Sequence, residues 1–338
     1  MTIREIASAL GVSPSSISNV LNNKPGVGDE LRKKIQSALK ENGYTIRTSV
    51  EKHGGSLSYT LLFLYYQSTN YLSYRNNDIL LLSLHEIEKY CQKLKHRCIF
   101  KQANHQTLPD MLSPENLTGI DGVLLLGTEY YHKAHPAFFT CNRPIVVMDG
   151  LFPEEKICTV NLDNETGIFG LIEHLHKKGH SQIGYIKSRI EFGCLRDRTA
   201  CFYSALNHFS MCLDPANIIE VSADSATIQK EMELYLNQAI QLPTVFFADN
   251  DFIAVSCYQI IQQLGYDIPR DISIVGFDDS DICTLLKPHL TSVHADFKGM
   301  AKVTVNQLMN MIEDPSLPVT KLTVASTFIE RDSVFDLK

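Results

Sequence analysis

Between residues 14 and 22 the side chains of Ser15, Ser18, Asn19 and Asn22 recur on one side of a helical period, opposite Ile17, Val20 and Leu21. Short hydroxyls and amides let a helix approach base edges and phosphates with no long charged chain intervening, which is the chemistry of a nucleic-acid reader. The bland counterpart is a Ser/Asn-rich surface helix. A second set of chemically capable residues stands where apolar runs end: Tyr65, Tyr66, Asp149, Arg196, Arg198, Asp249, Asn250, Asp278 and Asp279. A guanidinium with carboxylates and an amide makes paired hydrogen bonds to vicinal hydroxyls, so a sugar is the natural ligand for such a set. Catalytic patterns are poor. Gly179-His180-Ser181-Gln182-Ile183-Gly184 misses the G-x-S-x-G elbow by one residue, and P-loop, H-E-x-x-H and G-x-G-x-x-G motifs are absent. His174, His176 and His180 are close in sequence, but i and i+2 on a helix face apart. Asp278, Asp279 and Asp281 could hold a cation on composition alone. The expectation is no catalytic residue, no cofactor and no metal.

The reader needs a frame, and the N-terminal residues provide one. Ile3, Ile6, Ala7 and Leu10 fall at i, i+3, i+4 and i+7, a single buried stripe, and Gly11 ends that helix because it tolerates positive φ. Val12 can plug the turn, Ser13 is an N-cap and Pro14 sits at N1, where its missing N–H costs nothing. A turn over 23–28 leads to a third helix, capped by Asp29 and running to about Asn42, with Leu31, Ile35, Ala38 and Leu39 as its buried stripe. Residues 44–57 lack sustained periodicity, contain Gly54-Gly55 and read as a linker.

From Tyr59 onward short apolar runs alternate with amphipathic helices. Strands are expected at 59–66, 97–101, 122–126, 145–149, 183–186, 218–221, 244–248 and 272–276. Helices are expected at 79–94, 165–178, 198–209, 228–239 and 252–264. That alternation means parallel sheets with crossover helices, here two sheets of about six strands, with ligands beyond the carboxyl ends of the strands.

A chain of 338 residues, 44% hydrophobic and 20% charged, belongs with ordinary proteins of two or three domains. Its net charge of −7 is unevenly spread: eight Lys/Arg stand against five acids in residues 1–52, so the remainder carries −10. A small basic module on an acidic body confines phosphate attraction to one end. No apolar run approaches the roughly 20 residues of a membrane helix, and Arg4, Glu5 and Ser8 interrupt any signal-like segment. Nine cysteines without a C-x-x-C pair suggest reduced thiols and a cytoplasmic location, with Cys91 and Cys98 buried.

Several separated motifs, in order, give a resemblance to the lactose/galactose repressor family of bacterial transcription regulators. They are Ile6-Ala7 through Gly11-Val12-Ser13, Val20-Leu21-Asn22, Lys24-Pro25, Val27 and Gly43-Tyr44, then Asp163-Asn164, Leu175 and Gly179-His180. Further on come Arg198 with Phe202, Pro243-Thr244, Asn250-Asp251, Ala254, Gly265 and Ile274-Val275-Gly276-Phe277-Asp278-Asp279. The resemblance spans residues 2 to about 332. It implies a helix-turn-helix headpiece (1–44), a linker (45–57) and a periplasmic-binding-protein-like body (58–338). The body would have two Rossmann-like lobes, about 58–160 with 294–323 and 161–291 with 324–338, joined by three crossing strands. It further implies a homodimer on operator DNA, since two headpieces read two half-sites. The dimer face would include the helices near 79–94 and 252–264 and the loop 280–286.

By the same resemblance, Thr2, Ser13, Pro14, Ser15, Ser16, Ser18, Asn19, Asn22 and Lys24 are the DNA-binding residues. Asn19 occupies a position where an arginine is usual; asparagine can bond adenine N6 and N7 together, or else a phosphate. Tyr65, Tyr66, Asp149, Arg198, Asn250 and Asp278 become the effector-binding set, with helix capping as the structural alternative for Asp149 and Asp278. Two features depart from the family. Ala223-Asp224-Ser225 lack the aromatic found there in some sugar-responsive members. Ile46, Arg47, Val50, Glu51, Lys52 and His53 replace the hinge helix whose leucine wedges into the minor groove.

Overall fold

The computed structural model describes residues 2–21, 26–42, 44, 52–53, 56–67, 77–130 and 133–338. They fall into two compact units, 1–60 with 92–97, and 61–91 with 98–338.

In the first unit, α1 (Ile3–Leu10) opens on a reciprocal cap: Thr2 Oγ1 accepts from Glu5 N–H while Glu5 accepts from Thr2 N–H at 2.8 Å. Gly11 closes it at φ +63° and returns its N–H to Ala7 and Ser8 carbonyls. Helix α2 (Pro14–Leu21) starts as the sequence predicts, with Ser13 Oγ accepting from Ser16 N–H at 3.1 Å. In α3 (Asp29–Glu41) Asp29 is already helical, and the Gly28 carbonyl takes the first bond, from Arg32. Ile6, Ala7, Ile17, Val20, Ile35 and Leu39 form one buried cluster, completed by Ile3, Leu10, Val12, Leu21, Val27, Ala38 and Tyr44. Each fully buried aliphatic contributes about 1.5–3 kcal/mol, enough to hold so small a unit. The stripe expected on α3 is corrected at Leu31, which is exposed while Ile35 and Leu39 are covered. Within the linker, β1 (Lys52–His53) pairs antiparallel with β2 (Ser56–Leu57), so the described part is extended rather than helical.

The second unit carries two sheets. The larger has the order β13-β7-β6-β5-β3-β4, built from β3 (Thr60–Tyr66), β4 (Arg97–Ala103), β5 (Gly122–Leu126), β6 (Ile145–Met148), β7 (Cys158–Asp163) and β13 (Lys321–Ala325). The pairs β3–β5, β5–β6, β6–β7 and β7–β13 are parallel. Every residue of β5 and β6 is buried, which is why they read as unbroken apolar runs instead of alternating ones. Around this sheet lie α4 (Asn77–Lys93), α5 (Leu108–Met111), α6 (Ala137–Thr140) and α11 (Phe297–Glu313).

The smaller sheet has four parallel strands in the order β11-β10-β8-β9, where about six were expected. They are β8 (Gln182–Ser188), β9 (Cys212–Val221), β10 (Val245–Ala248) and β11 (Ser273–Val275), with α7 (Asn164–Lys177), α8 (Gly193–His208), α9 (Ser225–Gln238) and α10 (Asp251–Gln263). The strands missing from that count, β12 (Ser292–His294) and β14 (Thr327–Ile329), pair antiparallel with each other instead. They lie on chain passages between the lobes, of which there are three: β7 into α7, β12 into α11, and β13 into β14. Among the described residues no helix is long and apolar enough to cross a membrane.

Candidate functional site

The first candidate site is the outer face of α2. Ser15 and Ser18 are exposed and Asn19 is half-buried, whereas Ile17 and Val20 are wholly covered, so the polar and apolar faces separate as the sequence indicates. Ser13 Oγ hydrogen-bonds Ser15 Oγ at 2.6 Å and Ser16 Oγ at 2.9 Å, which fixes three hydroxyls on the first turn. Thr2 and Ser13 are engaged as helix caps; Asn22 and Lys24 lie outside the described residues.

The second lies where strand order reverses in each sheet, between β3 and β5 in one lobe and between β8 and β10 in the other, where open parallel sheets bind ligands. Thr128 follows β5 and Asp149 follows β6; the Thr128 hydroxyl donates to Asp149 Oδ2 at 2.5 Å. From the other lobe come Arg198 on α8, Asp249 and Asn250 after β10, and Phe277 and Asp278 after β11. Arg198 is 5% exposed and stacks its guanidinium over the Phe277 ring, 3.5 Å from the centroid. It donates to the Asp249 carbonyl and to Asn164 Oδ1 at 3.4 Å, and Asp278 Oδ1 lies 3.8 Å from Nη2. The Asp249 carboxylate is held by Tyr185 Oη–H at 2.5 Å and Ser188 N–H at 2.6 Å. It fixes the frame while its own carbonyl fixes Arg198.

Electrostatics join the two lobes. Burial pushes Asp149 up to about 6, against the opposing pull of the Thr128 hydrogen bond and the Arg198 charge. Burial likewise pushes Asp278 up to about 7, with Arg198 pulling it down and Asp251, Asp149 and Asp249 pushing further. Among the described residues the cleft therefore holds one guanidinium with several reluctant carboxylates. Both Asp149 and Asp278 have positive φ, +58° and +109°, in a region that side-chain-bearing residues seldom adopt. Such strain is characteristic of ligand-binding positions.

Comparison with known proteins follows the same division. Residues 2–46 match the description "Bacterial regulatory proteins, lacI family", and residues 172–334 match "Periplasmic binding protein-like domain". The chain carries a lacI-family DNA-binding domain and a periplasmic-binding-protein-like domain. It is 27% identical over its whole length to the ribose operon repressor of Haemophilus influenzae, covering 99% of that protein. It is 26% identical to the HTH-type transcriptional repressor PurR of Aliivibrio salmonicida, over 93% of this chain and 92% of that one. The lac repressor dimer bound to operator and the anti-inducer ONPF shares its fold, with a TM-score of 0.70 at 19% identity over 99% of both chains. As a lacI-family protein the chain is a DNA-binding transcriptional repressor governed by an effector, with a helix-turn-helix domain and a two-lobed α/β body.

Asp149, Arg198 and Asp278 converge in this lacI-family cleft. The capping alternative falls on Asn250, whose Oδ1 accepts from Ile253 N–H at 2.9 Å at the start of α10. The two tyrosines part company with the set. Tyr66 is buried edge-on against Tyr130, which in turn meets Phe138 and Phe152. Tyr65 turns to the β4 side and donates to Gln102 Oε1 at 2.8 Å. Asp279, read by composition as a possible cation ligand, is paired with Arg331. His174 packs on Phe328, His176 on Phe209, and His180 bonds Thr244 at 2.7 Å.

Sequence reading missed Cys194, one turn before Arg198. Its thiol is pushed well up by burial and by the charges of Asp149 and Asp278, which places it among the cleft residues. The helix was expected from 198 and begins at Gly193; Phe192 at its N-cap offers no side-chain acceptor, so the usual start signal is absent. The i, i+4 spacing of Cys194 and Arg198 was the available clue.

Proposed function

We propose that this repressor controls genes of carbohydrate use and that its effector is an uncharged, hydroxyl-rich molecule of the size of a pentose. The observation that carries the reading is the charge balance among the described residues of the cleft, where the Arg198 guanidinium faces Asp149 and Asp278. Hydroxyls donate to such carboxylates and accept from Arg198 and Asn250, whereas a phosphorylated ligand would meet like charge. A full-length relative named for the ribose operon agrees with it. The second reading, a nucleobase, has the relative PurR in its favour. Against it, the ring nearest Arg198, Phe277, already has one face covered by the guanidinium.

The working assembly in this reading is a cytoplasmic homodimer on double-stranded operator DNA. Leu81 and Leu82 on α4, Phe252 on α10, and Ile282 and Leu285 in the loop after β11 are exposed apolar groups, Leu285 at 77%. They lie on the segments that family resemblance assigns to the dimer face, and solvent-facing apolar clusters call for a partner. Residues 1–44 form the headpiece and 58–338 the effector body. Ser15, Ser18 and Asn19 read the major groove, with Asn19 directed at adenine.

The test is a ligand panel on the purified full-length protein: D-ribose, ribose 5-phosphate and hypoxanthine. A ligand at a hundred times its Kd adds about 2.7 kcal/mol, which raises Tm of a body this size by roughly 5–10 °C. The expected result is a rise with the neutral sugar alone; a rise with the phosphate or the base in its place overturns the assignment.

A further inference from the structure

Beside the effector aspartate stands a second one that points into the frame. Asp279 follows Asp278 directly, and both have left-handed φ, +109° and +56°. Two such residues in succession turn their carboxylates to different surroundings. Asp278 meets Arg198 in the cleft. Asp279 accepts from Arg331 Nη2 and bonds His294 Nδ1 at 3.1 Å. His294 belongs to β12 and Arg331 follows β14, so one carboxylate joins the end of β11 to two of the three interlobe passages. The same turn is clamped from below. Asp251, at the start of α10, accepts from Ser280 N–H at 2.8 Å and from Ser292 Oγ–H at 2.6 Å, and Asp279 N–H donates to Ser292 Oγ at 3.2 Å. Asp278 in turn donates its N–H to the Val293 carbonyl on β12. Any movement of the passages is thereby transmitted to the position of Asp278 against Arg198.

We propose that Asp279 is a positioning residue for the effector site: its bonds to Arg331 and His294 tie the Asp278 carboxylate to the interlobe passages, so that effector affinity depends on this partly buried link. The proposal rests on the effector reading above for its ligand but not for its geometry. A purely structural Asp279 would affect folding and leave the cleft chemistry unchanged.

Asp279→Asn is the informative variant. Asparagine keeps the shape and tolerates the left-handed conformation, so the substitution removes charge without imposing new backbone strain. On the full-length protein two quantities are measured. One is D-ribose affinity by calorimetry. The other, independent of any effector, is the alkylation rate of Cys194, resolved by peptide mass spectrometry against exposed Cys212 as internal standard. Asp279→Asn is expected to weaken ribose at least tenfold and to speed Cys194 alkylation at least threefold with Cys212 unchanged. Arg331→Gln should do the same, and the double variant should be no worse than either alone. Unchanged Cys194 reactivity, or equal increases at Cys194 and Cys212 with a large fall in Tm, overturns the proposal. If wild-type protein ignores ribose while Cys194 responds as expected, the link stands and the ribose assignment falls.

Discussion

The outer face of α2 and the interlobe cleft are both polar surfaces, made by opposite means. On α2 the functional groups are neutral, short and displayed over a separate apolar core of Ile6, Ile17, Val20 and Ile35, and they arise within one helical turn or two. In the cleft they are charged and largely buried, and they are assembled from Asp149, Arg198 and Asp278, which lie far apart in sequence. A surface that must match many phosphates and bases can be local, because its partner supplies the charge. A surface that must enclose one small molecule draws on groups from both lobes and bears the cost of burying them.

The sharpest way to break the contrast is Arg198→Ala. Removing the Arg198 guanidinium takes its charge from Asp149 and Asp278, so effector affinity should fall at least a hundredfold, about 3 kcal/mol. Calorimetry with D-ribose measures it, and operator binding without effector is the control. Joint loss of both would give Arg198 a framework role and erase the distinction between site and scaffold.

Asp149→Asn tests the burial cost itself. Because the folded-state pKa of Asp149 is raised from 3.8 to about 6, the folded state holds the extra proton, and stability falls as pH rises across that window. The amide escapes this penalty. The variant should therefore be more stable than wild type at pH 7.5, by on the order of 1–2 kcal/mol, and lose that advantage near pH 4. Thermal scans at the two pH values check the sign, while ribose affinity should fall.

On the DNA side, Asn19→Arg should move the preferred half-site from adenine toward guanine, a discrimination of about 1–3 kcal/mol at one base pair. Selection from a randomised operator pool measures it, and an unchanged preference would place Asn19 on a phosphate. The smallest effect belongs to Thr2→Ala. Loss of the reciprocal cap should cost about 1 kcal/mol of headpiece stability. Operator binding should weaken with temperature sooner than in wild type, while the thermal transition of the body stays where it was.

What could be read in advance divides along the same line. The headpiece was legible almost to the residue because its signals are local: Gly11 at the end of α1, Ser13 and Pro14 before α2, and apolar spacing within each helix. Leu31 was misplaced because periodicity gives a face and not the width of the neighbour that covers it. The body was legible as alternating β and α elements and Asp278 as a residue at a strand end, whereas Arg198, read the same way, lies within α8. The strands β7, β12, β13 and β14 were not, and β12 and β14 pair with each other and with neither large sheet, which only tertiary geometry decides. Tyr66 looked like a ligand-facing ring and is packed against Tyr130 because aromatic residues serve both purposes equally well. Cys194 escaped notice because a thiol one turn before an arginine carries no signature until the helix start is known.

The passages between the lobes have one further consequence. Ser326 Oγ donates to the Asp163 carbonyl at 2.5 Å and accepts from Gly167 N–H at 3.0 Å, which binds the third passage to the first. The pairing of β14 with β12 binds it to the second. At Gly167 even a Cβ would stand 2.3 Å from Val293 Cγ1 and 2.5 Å from Ser326 Oγ, so the first passage packs closely against the other two. Connections cross-linked at these points should move as one unit. Intermediate doses of effector would then change how many molecules have turned, and not how far any one of them turns.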